Sequence, residues 1–178
     1  IGHEIGHGFD DQGSQYGGDG ALNNWWTDED RAAFTERTQS LIDQYKVLAP
    51  AEAPDHNVNG ELTLGENIGD LGGLGISHKA LYLYLEQNPK AVKEQGCDPK
   101  NEKDRKAIDQ QFFESWAAVW RQLIRPEAAI TRVSTDPHSP NEFRANQVVK
   151  NLDAFHEAYE TQPGDEMWLE PEQRVTIW

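Results

Sequence analysis

The sequence has 178 residues, of which 31 are acidic and 16 basic, for a formal charge of −15 at neutral pH. A surface this acidic repels phosphate backbones and anionic headgroups, which excludes nucleic-acid binding and electrostatic attachment to membranes. Aromatic residues make up 10% of the chain, enough apolar bulk to require a core despite the charge.

Taken in chain order, residues 1–9 predict a helix entered in mid-course, because Ile1 and Ile5 sit four apart and no capping residue precedes them. Gly13 to Gly20 reads as a loop. Thr27, with Asp30 as acidic capping partner, opens a second helix to about Leu48, its apolar face formed by Phe34, Leu41, Ile42, Tyr45 and Leu48. Pro50 and Pro54 end it, and Asn59-Gly60 predicts a left-handed tight turn or short hairpin before Leu62 and Leu64. A third helix follows over about 65–88. It carries Gly65, Gly69, Gly72, Gly73 and Gly75, each costing up to ~1 kcal/mol relative to alanine, so their density predicts close helix packing. Another helix is expected from Asp104 to Ile124, burying Phe112, Phe113, Trp116, Val119, Trp120 and Leu123, with Arg125-Pro126 as its breaker. From Pro126 to about Tyr159 the pattern is short helices around the turn Asp136-Pro137-His138-Ser139-Pro140, then an acidic, proline-containing tail. Cys97 is the single cysteine, so no internal disulfide can form. No apolar run reaches the ~18 to 20 residues of a membrane span, and the first residues lack the features of a signal peptide. The expected fold is mainly α, one domain over residues 1–178, with at most short β or turn elements.

His3-Glu4-Ile5-Gly6-His7 is the pattern His-Glu-x-x-His. Positions four apart lie about 40° apart around a helix, so both imidazoles can grip one Zn2+. Glu4, on the neighbouring flank, can reach a metal-activated water without being a ligand. An extension to a third histidine is excluded, because the positions it needs hold Asp10 and Gly13. Glu66 on the third helix is the candidate third ligand. Asp70, one turn later, could accept a hydrogen bond from the free nitrogen of a ligating histidine and fix its tautomer. The plainer reading makes Glu66 and Asp70 a solvated acidic face.

The segments GHEIGHGFDDQG, DGALNNWWT, VNGELTLGENIGDLGGLG, FFESWAAVWR, RPE and DPHSPNEFR resemble, in order, the C-terminal catalytic part of neprilysin-type zinc endopeptidases. That resemblance implies a helical portion of a thermolysin-like (gluzincin) domain acting on oligopeptides. It implies zinc on His3, His7 and Glu66, with Glu4 as base and Asp70 as orienter of a ligand. His138 is implied to stabilise the transition state, Arg144 to hold a substrate carbonyl, and Val119-Trp120 to wall the pocket for a hydrophobic residue after the scissile bond. Family members are several times longer. The chain is therefore expected to be a C-terminal piece whose partners are peptide substrates and a missing N-terminal region, and which alone cleaves peptides poorly. The scarcity of cysteine points to a bacterial member, with every targeting signal lying upstream and localisation left open. Trp178 matches the tryptophan that closes family members.

Other polar residues carry bland expectations. His56, His78 and His156 have no partner at ligand spacing. Asp10-Asp11 would cap the exit of the first helix or pair with an arginine, and Trp25-Trp26 would join the core. The rivals from other classes are a non-catalytic, zinc-stapled interaction module and a metal-free fragment in which His138 and Arg144 point away from His3 and His7.

Overall fold

The computed structural model describes residues 1–178 as eight α-helices and two 3-10 turns, without a β-strand; an isolated antiparallel bridge joins Tyr16 to Leu22. The helices are α1 (Gly2–Gly6), α2 (Asp28–Tyr45), α3 (Leu64–Gln87), α4 (Pro89–Gln95), α5 (Glu102–Val119), α6 (Pro126–Thr135), α7 (Asn141–Val149) and α8 (Asp153–Tyr159). No helix is long and apolar enough to cross a membrane.

The longest helix, α3, is the centre of the core. Its Ile68, Leu71 and Leu74 are buried among Leu41 and Tyr45 of α2, Phe143, Val148 and Val149 of α7, and Val175 and Ile177 near the C-terminus. Helix α5 joins this core through Phe113, whose ring meets Phe155 of α8 edge to face at 5.4 Å. At the start of α2, the Thr27 hydroxyl accepts from the Asp30 amide at 3.1 Å and donates to the Asp30 carboxylate at 2.7 Å, so the expected cap is present.

Glycine lets α1 lie directly on α3. A Cβ on Gly73 would stand 2.7 Å from the His3 nitrogen, and one on Gly69 2.9 Å from His3 Cε1. Such approaches leave no room for a methyl group. We expect Gly73→Ala to destabilise the protein by about 1 to 3 kcal/mol through overpacking, while Gly75→Ala, which meets nothing within 4 Å, is neutral or stabilising. Thermal unfolding of the two variants checks this, and equal melting temperatures would show that α1 yields freely.

Four elements differ from the sequence reading. Helix α1 ends at Gly6, and α2 at Tyr45 instead of Leu48. Asn59-Gly60 does open a short turn, closed by the Thr63 amide donating to the Asn59 carbonyl at 3.1 Å, but it is neither a hairpin nor left-handed: Gly60 is absent from the positive-φ residues, and what it supplies is space, since a Cβ there would stand 2.6 Å from the Ile42 carbonyl oxygen. The Asn59 side chain instead accepts from the amides of Glu61 and Leu62 at the approach to α3. Finally, α5 stops at Val119, not Ile124, leaving Val119 70% and Leu123 fully exposed. Pro126 disfavours a helical Arg125, and Asn141 donates to the Trp120 carbonyl at 3.2 Å, satisfying the helix end from outside.

Candidate metal centre

Three elements converge on one point. Helix α1 and its last cap bring His3 and His7, α3 brings Glu66 and Asp70, and the loop between α6 and α7 brings His138. Each imidazole is held from behind by a carboxylate. His3 Nδ1 lies 2.9 Å from Asp70 Oδ1, and His7 Nδ1 lies 2.8 Å from Asp10 Oδ2. A carboxylate only accepts, so in the neutral, metal-binding form of both histidines the proton sits on Nδ1 and the Nε2 lone pair turns inward. Those Nε2 atoms face Glu66, at 3.1 Å for His3 and 3.6 Å for His7. The ligand atoms of His3, His7 and Glu66 all lie within 4.8 Å of one another.

This set fits a dication. Glu66 Oε2 is buried and accepts no hydrogen bond, although two imidazole nitrogens stand 3.1 Å away. A carboxylate oxygen facing neutral imidazole nitrogens with no hydrogen bond is a costly arrangement that Arg144 Nη2, 3.9 Å away, relieves only in part and a dication between the ligands would relieve fully. Two imidazoles and one carboxylate are also the ligand chemistry of open zinc sites. The Asp70 hydrogen bond outweighs partial burial and raises His3 above the ordinary imidazole value, so protons and metal compete for the same nitrogen.

Around this cluster the other residues singled out in the sequence take their places. Asp70, 1% exposed, is gripped by Arg144 through Nε at 2.7 Å and Nη2 at 2.8 Å, making a chain Arg144–Asp70–His3. The guanidinium also lies 4.0 Å over the Trp120 ring, and its Nη1 has no protein partner. Glu4 is exposed on α1 beside the histidines. His138 points its Nε2 at Glu66 Oε2 at 3.1 Å while its Nδ1 meets Asp136 Oδ1 at 2.8 Å. Burial would raise the Asp136 carboxyl, but hydrogen bonds from the His138 backbone and ring outweigh it and hold the group below its usual range. Val119 and Trp116 face a cavity of about 310 Å³ that opens beside His3 and Asp70. Trp120 does not line that cavity: it lies beneath Arg144 and, with His138, borders a second one of about 460 Å³. His138 and Arg144 thus approach His3 and His7, contrary to the metal-free rival.

Two contributors were missed in the sequence. Asp10 caps the exit of α1 by accepting from the amides of Gln12 and Gly13, but its other oxygen holds His7, and it pairs with no arginine. Asn67 accepts from Ser139 at 2.7 Å and thereby ties the His138 loop to α3. The spacing of His7 and Asp10, three residues apart, was a readable signal; the Asn67–Ser139 contact, 72 residues apart in sequence, was not.

The family model of Peptidase family M13 matches residues 1–175. This chain belongs to peptidase family M13. The M13 chain is 38% identical over its whole length to a neutral endopeptidase of Lactobacillus helveticus, covering 24% of that protein, and 36% identical to human neprilysin, covering 22%. Among solved structures it superposes on the zinc metalloprotease Zmp1 of Mycobacterium tuberculosis with a TM-score of 0.86 at 46% identity, over 99% of this chain and 26% of that one. PepO from Lactobacillus rhamnosis gives a TM-score of 0.81 at 34% identity, over 99% of this chain and 25% of that one. The helical fold is therefore that of the corresponding part of M13 peptidases, and the chain spans about a quarter of the length of the relatives it matches.

Proposed function

We propose that this chain carries the zinc site and catalytic groups of a metalloendopeptidase that hydrolyses oligopeptides, with one Zn2+ held by His3, His7 and Glu66. The observation that carries this reading is the buried Glu66 Oε2, without a hydrogen bond, 3.1 Å from His3 Nε2, while His7 Nε2 stands 3.6 Å from the other oxygen of the same carboxylate. Zinc bound there supplies Lewis acidity, which acidifies water and polarises a peptide carbonyl.

The chain's own residues do the rest. Glu4, solvated and unpaired, accepts a proton from the attacking water and delivers it to the leaving nitrogen. His138 is oriented by the contact of its Nδ1 with Asp136, and in its imidazolium form it donates from Nε2 to the charge developing on the carbonyl oxygen; such a donor is worth ~2.7 to 4 kcal/mol in other enzymes. Arg144 orients His3 through Asp70 and keeps Nη1 free for a substrate carbonyl. The cavity beside His3, walled by Trp116 and Val119, suits a hydrophobic side chain following the cleaved bond, while Trp120 supports Arg144 from below. An open coordination position beside an exposed glutamate is superfluous in a purely structural site, which weighs against an interaction module.

Because the relatives are longer, the test uses the full-length gene product. One zinc per chain, loss of oligopeptide cleavage on chelation and its return on adding zinc are the expected results. Zinc binding without cleavage of any peptide would instead favour the interaction module.

A further inference from the structure

The cavity beside His3 is bounded on one side by Gly73, Leu74 and Ser77 of α3 and on the other by Phe112, Trp116 and Val119 of α5. Its width is the separation of two helices whose backbones are joined little to each other. Helix α5 packs against α8 and α7, whereas α3 packs against α1, α2, α4 and α7.

Besides the apolar contacts of Phe113, a polar cluster next to the cavity links the two helices side chain to side chain. His78 of α3 meets Asp109 of α5, Nε2 to Oδ1, at 2.7 Å, and the Tyr82 hydroxyl, one turn further along α3, donates to the same oxygen at 2.8 Å. Asp109 is 3% exposed, so its charge depends on these two donors. The His78 ring is stacked on Phe113, with centroids 5.9 Å apart, and meets Phe112 edge-on at 5.3 Å. Phe112 and Ser77, the neighbours of the clasped residues, are themselves cavity walls. Burial, then the Asp109 hydrogen bond, push the Tyr82 phenol above its usual value, which keeps it a donor at any working pH. None of these groups touches the metal cluster, and the mechanism above leaves them unused.

We propose that the clasp of His78 and Tyr82 on Asp109 sets the width of this cavity and so selects the size of the side chain accepted after the scissile bond. This rests on the peptidase reading above. His78, Tyr82 and Asp109 are positioning residues, acting through Phe112 and Trp116 on a substrate they never contact. Without the clasp, α5 is free to move away from α3 and the cavity admits bulkier groups.

The test compares two peptides that differ only in having leucine or tryptophan after the cleaved bond, using the zinc-loaded full-length enzyme, its His78→Phe variant and its Tyr82→Phe variant. Phenylalanine keeps the stacking on Phe113 and removes the polar link. The expected result is a shift of the kcat/KM ratio towards the tryptophan peptide by about 5- to 10-fold in His78→Phe, carried mainly by KM, and a smaller shift in the same direction in Tyr82→Phe. Zinc content should not change. Equal loss on both peptides, or a lower melting temperature with an unchanged ratio, would overturn the proposal and leave the clasp a structural staple. Should His78→Phe fail to fold, the ratio in Tyr82→Phe decides alone. A parent enzyme that cleaves neither peptide would overturn the peptidase reading and the specificity role together.

Discussion

Glu66→Gln is expected to lower zinc affinity by at least about 100-fold, the upper range for losing an outer partner of a metal ligand, since here the ligand itself is changed. Glutamine keeps the shape of the side chain and removes its charge, the only formal negative charge in the proposed ligand set. The metal-free protein should respond in the opposite sense. Its buried Oε2 accepts no hydrogen bond and has only Arg144 Nη2, 3.9 Å away, as a cationic neighbour, and an amide in that position can donate to an imidazole lone pair, so the metal-free variant should melt no lower than the metal-free parent. Zinc raises the melting temperature of any protein that binds it only when folded, and that rise should vanish in the variant. Zinc titration followed by calorimetry and thermal unfolding reads both effects. Stoichiometric zinc with the parent's affinity would remove Glu66 from the ligand set.

The second large effect is expected at Glu4, and it should separate chemistry from metal binding. Glu4→Gln alters an exposed side chain that forms no ion pair and holds no histidine, so zinc should be retained in full. Turnover of oligopeptides by the full-length enzyme should fall about 10²- to 10⁴-fold, the range for loss of a general base. Metal analysis and steady-state kinetics on the same preparation make the comparison. Undiminished turnover would exclude Glu4 from the proton transfer, and loss of zinc would make it a ligand instead.

How much of this was legible in the sequence depended on how local each relation is. His3 and His7 share a helix turn, and Glu66 and Asp70 share another, so their pairing on one face followed from the helical period alone. The density of glycine in α3 signalled close packing, and Gly69 and Gly73 are where α1 lies against it. Boundaries were harder. The apolar period of α5 continues through Trp120 and Leu123, but the end of that helix is decided by Asn141, which reaches the Trp120 carbonyl from another part of the chain. Gly60 looked like a left-handed turn glycine because its neighbour is Asn59; it does sit in a turn, but its constraint is the Ile42 carbonyl packed against it. Within the site, the role of Asp10 was hidden by its second role as a cap. Arg144 was read as a substrate contact, yet most of its hydrogen bonding is spent on Asp70, a partner 74 residues away.

Many relations in the site are indexed along helix α3. Glu66 faces the imidazoles, Asn67 tethers the His138 loop, Asp70 holds His3 and Arg144, Gly69 and Gly73 seat α1, and His78 grips α5. Inserting or deleting one residue between Glu66 and His78 would turn everything beyond it by about 100° relative to what precedes it, so the contacts on the two sides could no longer be made together. The segment from Asn88 to Asn101 holds no such alignment. Length variation among natural relatives therefore has room there and almost none within α3, which works as the ruler against which the other elements are measured.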